Sequence, residues 1–293
     1  MRGRGLLYAA IGAAILILLL RSAPAPKPLH PLREPEPTTE LGGSFDAGQC
    51  GQVHATIAWG GPLPLVKPID VIRIAVPLDG QTQMPNPNAP RIQNDRVAGV
   101  FVYLARVDLR KSHEWTLPSP TIEVRTKELV INQAGVSGRV GIARRGQAVD
   151  LVSRDAAFQS IRGRGANFFT QMLTTPDQPV RRVLSDAGVV ELSSASGYYW
   201  LRGYLLVLDH PYAAVTTPDG TIDLEQVPEG DYELTCWMPN WRVERIENDP
   251  EWAAPVRLYY EAPVVKRRPI SVKAGQRVNV TFPFATKDFG QRD

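Results

Sequence analysis

Cysteine and histidine are scarce in this chain, with two and four among 293 residues. No C-x-x-C or H-x-x-x-H pair occurs, so the ligand spacings of common zinc modules are missing. There is no Walker loop, no dinucleotide fingerprint and no G-x-S-x-G elbow. No repeat array is visible. Helix signals are rare past the N-terminus. Proline (26) and glycine (24) are frequent instead, and the apolar runs are short and rich in Val, Ile and Tyr. That pattern predicts an all-β protein with many turns.

The N-terminus differs from the rest. Residues 6–20 are unbroken apolar, preceded by "MRGRG" and followed by Arg21. Fifteen helical residues span roughly 22 Å, against a hydrocarbon core of ~30 Å. Arg21 can snorkel, and the preceding glycines add length. The alternative is a cleaved signal peptide. Its one A-x-A site, Ala23-Pro24-Ala25, is followed by Pro26, which opposes cleavage. We therefore expect an uncleaved single-pass signal-anchor over 1–21. Its basic flank leaves the bulk of the chain extracytoplasmic, in the periplasm or at the cell surface. Residues 22–45 are Pro-rich and read as an extended tether.

Charge argues against nucleic acid. The first 43 residues hold five basic and three acidic side chains, leaving 28 basic and 27 acidic. The expected folded part is thus close to neutral, and a nucleic-acid partner is not expected. Cys50 and Cys236 lie near its two ends. Either they bridge in an oxidising compartment, closing most of the domain in one loop, or they are separate buried thiols.

Short strands follow one another beyond the tether. "GQVHATIAW" alternates, "AGVFVYLARV" reads as a central strand, and "PTIEVRTKELVI" reads as a strand pair. "GRVGIARRGQAVDLVS" gives two strands broken at Arg144-Arg145-Gly146. "GVVELSS", "GYLLVLD", "TIDLEQV", "DYELTCW", "VRLYYEAP" and "ISVKAGQRVNVTFPF" complete the series. Strands at this spacing indicate sandwiches.

Two motifs go further. "GQAVDLVSRDAAFQSI" resembles the first copper-ligand strand of cupredoxin-like proteins through Gly146, Val149, Leu151 and Asp155. "ASGYYWLRGYLLVLDHPY" fits the frame of their second ligand loop through Trp200 and Asp209-His210-Pro211-Tyr212. In that frame Gln159 takes the place of a histidine, Ala195 of the thiolate, Tyr198 of the second imidazole and Leu201 of the thioether. A blue-copper site needs a Cys thiolate, two His nitrogens and a weak axial Met. None is present. The resemblance therefore implies a cupredoxin-like sandwich over 46–203 with a degenerate metal site, and neither a metal nor any other cofactor.

"HPYAAVTTPDGTIDLEQVPEGDYELTCWMP" resembles the carboxypeptidase-regulatory-like, transthyretin-like module. The matching residues are Asp219-Gly220, Pro228, Gly230, Tyr232, Leu234 and Trp237. That implies a smaller, non-catalytic β-sandwich over 204–286, with 287–293 as a tail. The whole chain resembles membrane-anchored planctomycete-type proteins that combine these two units.

The aromatics of Tyr198-Tyr199-Trp200, with Trp241 and Trp252, are candidate ligand contacts for a glycan. The alternative is core packing. Arg154, Arg162 and Arg164 suit an anionic glycan or lipid headgroup, or else mark solvated strand ends. Asp209 beside His210 outlines an acid–base pair, without a nucleophile elbow or oxyanion feature to complete it. The expectation is a non-enzymatic, membrane-tethered binding or scaffold protein with a glycan or protein partner. The alternatives are carbohydrate binding through exposed aromatics, and metal binding or electron transfer, for instance through His54, His113 and His210.

Overall fold

A computed structural model describes residues 44–71, 82–251 and 254–290, all within the unit Pro31–Asp293. The expected anchor, most of the tether and Trp252 lie outside the described residues. What is described consists of strands and three short 3-10 turns. Among the described residues no helix is long and apolar enough to cross a membrane.

Four sheets carry the structure. Sheet I runs, in spatial order, Val180–Val183, Ala148–Ser153, Thr121–Val124, Leu129–Gln133, Val136–Gly138. Sheet II runs Val140–Arg144, Arg202–Leu208, Gly188–Ser194, Gln159–Gly165, Phe169–Leu173. Sheet III runs Ala213–Val215, Phe101–Ala105, Gly230–Met238, Val264–Val272. Sheet IV runs Thr221–Pro228, Cys50–Trp59, Arg96–Ala98, Arg91–Gln93, and Arg277–Phe284 pairs in parallel with Cys50–Trp59.

Alternation dictates where each face goes, because successive strand side chains point to opposite sides. Val53, Ala55, Ile57 and Trp59 point into the core between sheets III and IV, against Val102, Leu104 and Leu234. Ile122, Val124, Leu129 and Leu151 of sheet I meet Ile161, Leu192, Leu205 and Val207 of sheet II. A third core joins sheets II and III: Val140, Ile142, Tyr204, Leu206 and Leu208 pack on Phe101, Tyr103 and Trp237. The strands Phe101–Ala105 and Arg202–Leu208 are accordingly buried at every position. Their continuous apolar runs follow from having two buried faces.

Strand pairing crosses the sequence boundary expected at 203/204. Cys50–Trp59 pairs with Thr221–Pro228 and Arg277–Phe284, and Phe101–Ala105 pairs with Gly230–Met238. The boundary itself falls inside Arg202–Leu208, a strand of sheet II. The sandwich of sheets III and IV is therefore discontinuous, and the sandwich of sheets I and II is inserted into it. The "VPEGDYEL" motif lies at its heart, where Tyr232 Oη donates to the Pro228 carbonyl at 2.8 Å. Residues 286–289, mostly assigned to the tail, form a 3-10 turn. Phe289 in that turn is buried against Trp241 (ring centroids 4.2 Å apart) and Trp59 (6.1 Å).

Of the two readings of the cysteines, the structure has separate thiols: Cys50 and Cys236 are free, Cys236 buried and Cys50 half-buried. Geometry explains this. Cys50 pairs with Pro228, beside the start of Gly230–Met238. At ~3.4 Å per residue Cys236 lies roughly 20 Å farther along that strand, well beyond the ~7 Å Cα separation a disulfide tolerates. Burial pushes the Cys236 thiol pKa well up.

Two outcomes check this architecture. Phe289→Ala should lower unfolding stability by about 3–5 kcal/mol, the usual range for emptying a buried aromatic site, read from the urea midpoint. A reductant should leave the melting temperature of the protein unchanged; a drop would reveal a bridge.

Candidate functional site

The four positions that the resemblance sets against copper ligands lie at the start of Gln159–Gly165 and in the loop that follows Gly188–Ser194. Gln159 opens its strand beside the 195–201 loop, where Ala195 N–H donates to the Ser160 carbonyl at 2.9 Å. Ser160 and Ser196 hydroxyls lie 2.9 Å apart across the same join. Leu201 N–H donates to the Tyr198 carbonyl at 2.9 Å, which closes the loop. The framework residue Asp155 anchors the opposite wall, accepting from Thr126 N–H and from Thr126 Oγ1 at 2.7 Å.

This locus is filled. Gln159 and Leu201 are fully buried, Tyr198 is nearly so, and Ala195 is half-buried. A carboxamide, a methyl, a phenol and an isobutyl group offer no thiolate, imidazole or thioether. One strain remains: both amide atoms of Gln159 are buried without a hydrogen-bond partner among the described residues.

The aromatic candidates are core rather than platform. Tyr198 and Tyr199 each meet Trp200 edge-on, with ring centroids 5.6 and 5.1 Å apart. Trp200 Nε1 donates to the Thr126 carbonyl at 2.9 Å, and Tyr199 Oη to the Asp70 carbonyl at 2.7 Å. All three rings are buried, and the polar handles of Tyr199 and Trp200 are used internally, as aromatic residues with a polar tip require. Trp241 is likewise buried against Trp59 and Phe289.

The histidines do not assemble. His54 Nδ1 lies 2.9 Å from Asp223 Oδ1 on sheet IV. His113 and His210 flank the Tyr212 ring at 5.0 and 6.1 Å. Among the described residues no group of three His, Cys, Asp or Glu is placed to hold a metal ion. Asp209 is engaged by Arg145 at 2.6 Å. That pair borders an open polar cleft of about 560 Å³ lined by Ser112, His113, Glu114, Trp115 and Arg144.

A polar node that the sequence did not single out lies on the other face of sheet II. Glu191, buried in its strand, receives Arg202 and, at 3.5 Å, Arg257 Nη2. Arg202 is fully buried and also donates from Nη2 to the Leu258 carbonyl at 2.7 Å. Burial opposes the charge on Arg202, yet Glu191 and the neighbouring phenols raise its pKa overall. Burial pushes Tyr260 up to about 12 despite that guanidinium. The available sequence signal was a charge inside each of two apolar strands, "GVVELSS" and "LRGYLLVL". Of the three flagged arginines, Arg154 is tied to Glu123 at 2.6 Å and Asp177 at 2.8 Å.

No protein-family model matches the chain, and no curated protein does. Among solved structures, an oxidised single-site variant of amicyanin is similar over 32% of this chain and 97% of its own. The identity there is 14% and the TM-score 0.24. A copper(I) form of another amicyanin variant has the same coverage and TM-score at 15% identity.

The orphaned amide generates a prediction. Gln159→Met keeps the volume and removes two unsatisfied polar atoms, so it should stabilise the fold by about 1–2 kcal/mol in urea denaturation.

Proposed function

We propose that this chain is a non-enzymatic binding or scaffold protein built on a cupredoxin-like sandwich that has given up type 1 copper. Residues 6–20 tether it to a membrane with the bulk outside the cytoplasm, and its partner is a glycan or a protein. The observation that carries this reading is the content of the metal locus. Gln159, Ala195, Tyr198 and Leu201 occupy the four ligand places, and Tyr198 and Leu201 pack into the core. A metal would have to displace packed side chains and find donors that none of the four provides.

The acid–base outline of Asp209 and His210 adds no enzymatic reading. Asp209 is held by Arg145, and His210 is buried beside Tyr212. Carbohydrate stacking on Tyr198, Tyr199, Trp200 or Trp241 would require the core to open.

Copper titration tests the proposal. Adding Cu(II) to protein purified without a histidine tag should give no intense thiolate-to-copper absorption band and no stoichiometric binding. A blue, one-to-one copper complex would overturn it.

A further inference from the structure

The same sheet carries a charge imbalance on its outer face. Arg162 and Arg164 stand two apart on Gln159–Gly165, so both project to the side opposite Gly163. Gly163 faces the inner core, where an added Cβ would lie 2.3 Å from the Phe169 ring. Register sets Arg162 against Ser193 and Arg164 against Glu191. The hairpin formed by Val243–Asn248 and Pro255–Tyr260 covers this face and brings in Arg257.

Glu191 is the carboxylate at the centre, and it is already shared by Arg202 and Arg257. Arg257 Nη1 also donates to Tyr259 Oη at 3.0 Å, and that hydroxyl donates to Glu247 at 2.6 Å. Arg162 and Arg164 are half-buried, and neither has a hydrogen bond or ion pair among the described residues. Two buried polar atoms beside them are also unpartnered, Ser193 Oγ and Arg257 Nε. Ser193 is only 5% exposed. Burial, together with the like charges of Arg257 and Arg162, outweighs the attraction of Glu191 and brings the Arg164 pKa down to about 10. A half-buried guanidinium whose facing carboxylate is already ion-paired elsewhere is unfavourable, and an oxyanion in a forked contact relieves it.

We propose that Arg162, Arg164, Ser193 and Arg257 form a binding site for a tetrahedral oxyanion, a sulfate or phosphate group. Glu191 fixes the inner wall by holding Arg257. The ligand is either the free ion or a monoester group carried by a glycan. The proposal deepens the binding-module reading and rests on it only in treating the protein as a non-covalent binder. Copper titration tests that reading separately, so failure here would leave it standing.

The test is isothermal titration calorimetry on the full chain at low ionic strength. The probes are inorganic phosphate, inorganic sulfate, dextran sulfate and neutral dextran. We expect saturable binding of at least one inorganic oxyanion and none of neutral dextran. Arg164→Gln should weaken binding about tenfold or more, as loss of a charge-assisted contact does. Arg154→Gln, outside the site, should not change it. Arg164→Lys keeps the charge without the fork, so it provides an intermediate loss and a safeguard should the glutamine variant not fold. Dextran sulfate binding more tightly than sulfate, in an Arg164-dependent manner, would assign the anion to a glycan. Equal affinity per sulfate would assign the free ion. Absence of binding by every anionic probe, or binding indifferent to both Arg164 variants, overturns the proposal.

Discussion

The structure depends on two strands that have no solvent side. Arg202–Leu208 of sheet II and Phe101–Ala105 of sheet III each lie between two apolar layers, so the join between the sandwiches is itself a core. A strand in that position must be apolar on both faces, as Arg202–Leu208 and Phe101–Ala105 nearly are. Any polar group placed there must be satisfied internally. Tyr204 meets this through Asn88, whose amide nitrogen lies 2.9 Å from its hydroxyl and donates to the Asn240 carbonyl at 2.8 Å. Arg202 meets it in part, through its ion pair with Glu191 and the Leu258 carbonyl, with Nε left unpaired. Both solutions recruit segments distant in sequence, the 84–90 loop and the 243–260 hairpin. The polar exceptions thus help fix how the layers close.

Against that background the 195–201 loop has a simple energetic reading. The 195–201 loop keeps its turn through backbone hydrogen bonds, while Tyr198, Tyr199, Trp200 and Leu201 supply apolar volume to the adjoining core. Burial of these side chains orders the loop. Gln159 is the polar exception there, because its amide is buried and unpaired. Such an orphan costs about 1–3 kcal/mol, which a fold with three apolar cores can carry.

Much of this was legible from the sequence, and the failures have a common cause. Period-two alternation and unbroken apolar runs located most strands, including the break at Arg144-Arg145-Gly146, because they depend on neighbours in the chain. The all-β architecture followed. Pairing partners did not, because Cys50–Trp59 lies beside Thr221–Pro228 and Arg277–Phe284 from the far end of the chain. The linear 46–203 and 204–286 division and the 287–293 tail depended on such long-range placement, as did the choice between a Cys50–Cys236 bridge and two separate thiols. Of the two readings left open for Tyr198, Tyr199, Trp200 and Trp241, ligand contact or core packing, burial favours packing, and only the fold could decide between them. Aromatic residues in loops look alike in sequence whether they face solvent or plug the end of a sandwich.

The arginines show the same limit from the other direction. Arg154, Arg162 and Arg164 read alike as a basic cluster, yet the fold separates them. Arg154 meets Glu123 from a neighbouring strand of sheet I and Asp177 from a nearby turn. Arg162 and Arg164 are held apart from such partners by the packing on the opposite face. Phe169 lies over position 163, so only glycine fits there, and the residues on either side must point outward together. The carboxylate they face is already committed to Arg202 and Arg257. A core contact on one side of sheet II therefore places both charges together on the other, and the hairpin that covers it adds the Arg257 guanidinium, while its Glu247 is taken up by Tyr259.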